Sequence, residues 1–293
     1  PTETHPPSSE GALQRFERVG ARLRIDVERI TRRDFDRIPE FDALFIRTTT
    51  AIDHYTYQFA RKAELEGLAV IDDTQSILRC ANKVYLHELL QREGLPTPRT
   101  ETLNRATFDE TAARSVADKL GYPLVLKVPD GSFSRGAIKA GDLTQLQQGA
   151  ATLMKRSRLI LAQEYVYTEF DWRVGVLHGQ ALFVCQYMMS RNHWQIIRHD
   201  GDGRFTEGGF RTLALEAAPT AVIDTAVRAA RLIGDGLYGV DLKVTAQGVV
   251  IIEINDNPNL DRGVEDQLAG DSVYEAILRE FMTRIDAGSA SIP

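Results

Sequence analysis

The stretch from Tyr238 to Asn259 constrains this chain more than any other. It reads Tyr-Gly-Val-Asp-Leu-Lys-Val-Thr-Ala-Gln-Gly from Tyr238, then Val-Val-Ile-Ile-Glu-Ile-Asn-Asp-Asn-Pro-Asn from Val249. Residues 240–244 alternate and are rich in β-branched types, and residues 249–254 are almost continuously apolar, so the pattern predicts two paired strands. Ala246, Gln247 and Gly248 fit a three-residue loop with glycine in the left-handed position. That register pairs Thr245 with Val249 and Asp241 with Glu253. Side chains alternate along a strand, so Asn255 shares the face of Glu253. One face of one hairpin would then present Asp241, Glu253 and Asn255 together. Two adjacent carboxylates repel unless a positive charge lies between them. Hard oxygen donors of this kind suit Mg²⁺, with Mn²⁺ as a substitute. The alternative is a solvent-facing hairpin with scattered polar residues. Against it, the apolar run 249–252 puts Glu253 at the end of a core strand, where an unpaired carboxylate is costly.

The rest of the chain predicts alternating strands and helices. Residues 1–14 read as a flexible tail or linker, rich in Pro, Ser and Thr up to Gly11. Residues 15–81 form a small α/β unit: strands over 23–30, 43–47 and 68–71, with a helix over 56–66. Its missing part could lie upstream of Pro1, since the chain does not begin with Met. Helices follow over 82–92 and 108–120, then a strand over 122–128 carrying Lys127 between Leu126 and Val128. Residues 129–136 make a loop rich in Gly and Ser that suits phosphate, or equally an ordinary hairpin loop. A helix over 143–154, a strand over 159–166 and a hairpin about Gly179 precede a polar, mobile loop over 192–207. Helices over 218–233 and 272–285 complete the pattern.

Composition excludes several classes of function. The 293 residues suffice for roughly two domains. A net charge of −6 does not suggest general nucleic-acid binding. Cys80 and Cys185 lie far apart without partners at metal spacing, which fits a reducing, cytoplasmic setting without disulfides or zinc. No apolar run approaches a membrane span, and no signal peptide is visible.

Four motifs, taken in order, resemble the ATP-grasp superfamily and within it the RimK-like carboxylate–amine ligases. They are the Lys127 strand with its Gly131–Gly136 loop, Gln163-Glu164-Tyr165-Val166, Asp171-Trp172-Arg173, and Asp241 with Glu253-Ile-Asn255-Asp-Asn-Pro258. Asn82-Lys83 also matches the start of the ATP-grasp unit, and the resemblance runs from about Asn82 to Phe281.

The resemblance implies an α/β (α+β) ATP-grasp fold in which two α+β subdomains, 82–166 and 167–293, clasp ATP behind a short Rossmann-like unit. It implies that Lys83 and Lys127 neutralise the phosphates. Gln163, Glu164 and Val166 would meet adenine, and Asp171 the nucleoside side. Ser132 and Ser134 would cap the outer phosphates from a lid. Asp241, Glu253 and Asn255 would hold Mg²⁺, and Arg173 would face the transferred phosphoryl group. The implied activity is ADP-forming ligation through an acyl phosphate, joining an amino acid to a peptide, a protein tail or a small amine. A non-catalytic nucleotide-binding module and an ATP-grasp kinase are the alternatives. Arg47, at the end of a strand, is the candidate carboxylate fork, and His193, Arg211 and Asn259 are candidates on the acceptor side. An upstream domain of the same protein and a homo-oligomer are compatible with this pattern.

Overall fold

The computed structural model describes residue 3 and residues 6–130, 136–190, 197–199 and 205–289. Helix α1 (Glu10–Leu23) and a 3₁₀ stretch at Arg32–Glu40 lead into β1 (Ala43–Phe45), α2 (Tyr55–Leu65) and β2 (Ala69–Ile71). Helices α3 (Thr74–Ala81) and α4 (Lys83–Arg92) connect to β3 (Thr100–Asn104), α5 (Glu110–Leu120), β4 (Leu124–Lys127), β5 (Ala137–Ala140), α6 (Leu143–Leu153) and β6 (Leu159–Glu164). Then come β7 (Phe170–Leu177), β8 (Gln180–Met188), β9 (Ile197–His199), β10 (Phe205–Glu207) and β11 (Phe210–Leu213). The chain closes with α7 (Thr220–Ile233), β12 (Leu237–Thr245), β13 (Gly248–Asn255) and α8 (Asp271–Ser289). Among the described residues no helix is long and apolar enough to cross a membrane.

Two antiparallel sheets carry the molecule. One has the order β11-β8-β7-β12-β13, the other β3-β6-β4-β5, while β1 and β2 form a separate parallel pair. Helices α5 and α6 cover the four-stranded sheet through Ala113, Val116, Leu146 and Ala150. The five-stranded sheet is covered differently on its two faces. Trp172, Val174, Val240, Leu242, Ile251 and Ile254 pack on the small side chains of α7. On the other face Leu177, Phe183, Cys185 and Leu237 pack with α1 and α8, and Phe16, Tyr274 and Phe281 seal the layer. That apolar patch covers only part of this face. The rest carries charges.

The β12–β13 register departs from the sequence prediction and still reaches the same pairing. The turn contains two residues, Ala246 and Gln247, so Thr245 opposes Gly248 rather than Val249. A bulge between Asp241 and Leu242 then shifts the register by one, and Asp241 opposes Glu253. A bulge places two residues of one strand against one of the other. Here it lets Ile251 and Ile254 both face α7, although they are three residues apart. Glu253 and Asn255 fall on the opposite face.

The N-terminal region differs more. Residues 23–30 form no strand, and the expected tail is docked from residue 6 onward. Ser8 bridges Leu260, the Leu260 amide donates to the Pro7 carbonyl at 2.8 Å, and α1 starts two residues later. Leu23 ends α1, and Ile25 and Val27 fold back over that helix instead of entering a sheet. The Val27 side chain lies where a Cβ on Gly20 would be, 2.5 Å away, so only glycine admits this return. The stretch 192–207, expected as a loop, contains the paired strands β9 and β10 in its described part.

Arg47, the candidate carboxylate fork, is occupied by acceptors of the protein itself. Its Nε donates to Ser8 Oγ at 2.9 Å, and Nη1 donates to Asn257 Oδ1 at 2.6 Å. Its Nη2 donates to the carbonyls of Pro7 (2.6 Å) and Pro258 (2.7 Å). The guanidinium staples the N-terminal segment to the turn after β13, and burial pushes its pKa down to about 10. A lysine cannot reach four acceptors at once. Arg47→Lys should therefore lower stability by about 2 kcal/mol, as buried acceptors lose their donors. Differential scanning fluorimetry should show a Tm fall of ~5 °C. An unchanged Tm would show that the clamp is dispensable.

Candidate active site

The charged half of the five-stranded sheet is built by strand alternation. Asp171 and Arg173 on β7, Asp241 and Lys243 on β12, and Glu253 and Asn255 on β13 share one face, and Asp241 opposes both Arg173 and Glu253. Arg173 grips Asp241 in a fork, Nε to Oδ1 at 2.7 Å and Nη2 to Oδ2 at 2.8 Å. Burial alone would lower the arginine's pKa, but Asp241 outweighs it and holds the guanidinium above its ordinary value. The Asn255 amide donates to Asp241 Oδ2 at 3.2 Å. Lys243 pairs with Asp171, which also accepts from Thr168 at 3.2 Å. Burial nevertheless pushes the Asp171 carboxyl upward.

The second sheet brings a lysine to this face. Lys127 ends β4, and its Nζ donates to Gln163 Oε1 at 2.8 Å; the Gln163 amide in turn donates to Thr100 Oγ1 at 3.0 Å. Lys83 starts α4, capped by Asn82, whose Oδ1 accepts from the amides of Val84 and Tyr85. The Lys83 amide donates to Pro129 O at 2.9 Å, which ties the helix start to the end of the β4 strand. Its Nζ lies 2.6 Å from Glu253 Oε1. Burial would raise the Glu253 pKa, but Lys83, Lys127 and Arg173 together hold it below the usual carboxylate value. Lys127 is pushed down to about 8, chiefly by burial and further by Lys83, against the pull of Glu253. Lys83, His87, Lys127, Gln163 and Glu253 surround a cavity of about 30 Å³ backed by Leu86, Leu90, Leu161 and Ile251.

The structure thus brings together Lys83, Lys127, Gln163, Asp171, Arg173, Asp241, Glu253 and Asn255. Other candidates are placed elsewhere. The Glu164 carboxylate accepts from the Arg99 amide (2.8 Å) and Nε (2.6 Å), because alternation turns it away from Gln163. Arg211 is exposed and opposes Gln186, which opposes Trp172, so it lies on the α7 side of the sheet. Val166 is half-buried past the end of β6, and Asn259 is half-buried in the turn after β13. Ser132, Ser134 and His193 lie outside the described residues. Two residues escaped the sequence reasoning. Lys243 stands two positions after Asp241 in an otherwise apolar strand, and His87 stands one helical turn after Lys83; both spacings were available as signals.

The donor set fits a hard divalent cation. Among the described residues no group of three or more His, Cys, Asp or Glu is placed to hold a metal. The set here is two carboxylates in one registered pair plus the Asn255 amide. That is the few-ligand, oxygen-only arrangement that suits Mg²⁺ when substrate phosphates and water complete the sphere.

The chain is similar to known proteins over most of its length. The family described as "D-ala D-ala ligase C-terminus" matches residues 89–262. A "Probable alpha-L-glutamate ligase" from Teredinibacter turnerae is 27% identical over 236 residues, spanning 80% of this chain and 74% of that protein. A D-alanine–D-alanine ligase from Bacillus anthracis, solved in complex with ATP, superposes with a TM-score of 0.68 at 17% identity over 96% of this chain and 97% of that one. A RimK-domain ATP-grasp protein from Sphaerobacter thermophilus gives a TM-score of 0.66 at 16% identity, covering 92% and 94%. The chain belongs to the D-ala D-ala ligase C-terminus family and is an ATP-grasp protein of the RimK-like ligase kind.

Proposed function

We propose that this ATP-dependent carboxylate–amine ligase joins L-glutamate to a second amino acid or peptide, with phosphoryl transfer on the charged face of the five-stranded sheet. One observation carries the reading: the Asp241–Glu253 pair, with Asn255 beside it, lies against Lys83 and Arg173. The glutamate part rests on the printed names of relatives such as the Teredinibacter turnerae protein.

The chemistry follows from charge. A carboxylate cannot expel oxide, so it must first be activated. Its oxygen attacks the γ-phosphorus of ATP, ADP leaves, and an acyl phosphate forms. An amine then adds to the acyl carbon, loses a proton, and phosphate departs as the amide forms. Lys83 and Lys127 neutralise the phosphates, and Gln163 orients Lys127. Arg173, fixed by Asp241, keeps its Nη1 edge for the negative oxygen that develops in each step. Asp171 and Lys243 complete the polar wall. Asp241, Glu253 and Asn255 would hold Mg²⁺, which supplies charge neutralisation on the phosphate oxygens. Water must be excluded while the acyl phosphate exists.

A steady-state assay of ADP release tests the reading. Release should require ATP, glutamate and an amine or glutamate-ended peptide together, and Glu253→Gln should lower kcat by about 100-fold or more while ATP affinity falls much less. Phosphorylated product without amine would make the chain a kinase instead, and near-normal turnover by the variant would remove the hairpin from the mechanism.

Lys127 generates a pH dependence. With its pKa near 8 in the free protein, it is charged below that pH, and bound phosphates raise the value further. The Kd for ATP should be flat below about pH 7 and rise roughly tenfold per unit above pH 8. Calorimetric titration of ATP checks this, with Lys127→Ala losing the pH dependence. A flat wild-type profile would mean that Lys127 meets no phosphate.

A further inference from the structure

Two acidic residues outside the charged face carry buried carboxylate oxygens without donors, although Asp256 also accepts from the Thr50 side chain and its own amide. Asp72 and Asp256 are the first residues past β2 and β13. The Ile46 backbone amide donates to Ile71 O at 2.7 Å, and Asn257 Nδ2 donates to Thr48 O at 2.7 Å, so the carboxyl ends of β1, β2 and β13 converge. Asp72 is 1% exposed. Neither of its carboxylate oxygens has a hydrogen-bond partner, and Asp256 Oδ2 is likewise buried and unpartnered. Asp72 feels the charge of Asp256 directly.

The neighbouring charges do not resolve this. Arg47 and Arg284 are the positive groups that act on Asp72. Arg47 is committed to Pro7, Ser8, Asn257 and Pro258. Arg284 is committed to Glu280, to the Val70 carbonyl, and to Asp235. Among the described residues Asp73 accepts from its own helix start, through the amide and hydroxyl of Ser76. Three buried carboxylate oxygens thus lack donors; burial pushes the Asp72 carboxyl well above the usual carboxylate range and Asp256 up to about 6, so the site holds its negative charge only when a positive group occupies it. A water molecule offers two donors and no charge. A primary ammonium group offers three donors and the missing positive charge.

We propose that Asp72 and Asp256 form a receptor for a small cation of ammonium type, either the amino group of the amino-acid substrate or an ammonium-sized inorganic ion. The choice of amino acid rests on the ligase reading; the cation chemistry does not. Asp256 adjoins Asn255, so an amino group held here would sit beside the phosphoryl-transfer face. Carboxyl ends of strands are where open α/β units take their ligands.

Calorimetry and thermal shift on the nucleotide-free full chain test the site with four probes: L-glutamate, glutarate (which lacks the amino group), ammonium chloride and tetramethylammonium chloride (which lacks N–H donors). L-glutamate should bind at least about tenfold more tightly than glutarate, and Asp72→Asn should remove that difference while leaving the ATP Kd within about twofold. If the occupant is inorganic, ammonium chloride should raise the Tm above tetramethylammonium chloride in the wild type only, with glutamate and glutarate alike. Wild type that distinguishes none of the probes, or Asp72→Asn that behaves as wild type with all of them, overturns the proposal. Asp256→Asn repeats the comparison if Asp72→Asn does not fold. An Asp72-dependent glutamate preference without any ADP release would sink the ligase reading and leave the site standing.

Discussion

Charges on the inner face of a sheet survive only where each one meets its opposite. Burying an ionised group costs several kcal/mol unless a partner and hydrogen bonds replace the lost water. The face formed by β7, β12 and β13 meets this constraint three times over, through Arg173–Asp241, Lys243–Asp171 and Lys83–Glu253. The first two pairs join the neighbouring strands β7 and β12, whereas the third reaches outside the sheet, because Lys83 comes from α4. Nucleotide phosphates and a divalent cation carry the same two kinds of charge. They can exchange with these internal partners without leaving any carboxylate or lysine unpaired.

This arrangement depends on the packing behind it. The α7 face of the same sheet is apolar, and the bulge at Ile252 keeps Ile251 and Ile254 both in that core. Without the bulge, alternation would send either Ile254 or Ile251 onto the charged face. The two-residue turn and the bulge are therefore coupled features, and together they hold Asp241 opposite Glu253.

Legibility in the sequence follows the range of the interactions. Asp241, Glu253 and Asn255 were readable because strand period and pairing are local properties, and two register errors of one residue cancelled. Lys127 was readable as a charge inside an apolar run. Arg47 was legible as a strand-end arginine but not as a clamp, since its partners at residues 7, 8, 257 and 258 lie far away in the chain. Helix α1 was hidden by the Pro- and Ser-rich start and by the alternation of Leu23, Ile25 and Val27, of which Ile25 and Val27 pack back on Gly20 rather than pair in a sheet. Asp72 gave no local signal at all. Its lack of partners appears only when β2 and β13 end at the same place.

The ligase chemistry makes a demand that does not depend on any substitution. If the carboxylate oxygen attacks the γ-phosphorus, that oxygen leaves with the phosphate. Glutamate or a glutamate-ended peptide labelled with ¹⁸O in its carboxyl groups should transfer one labelled oxygen to the phosphate released in each turnover. Mass spectrometry of that phosphate measures it directly. One ¹⁸O per phosphate is the predicted result. Unlabelled phosphate, with amide product formed, would contradict acyl-phosphate chemistry on this face.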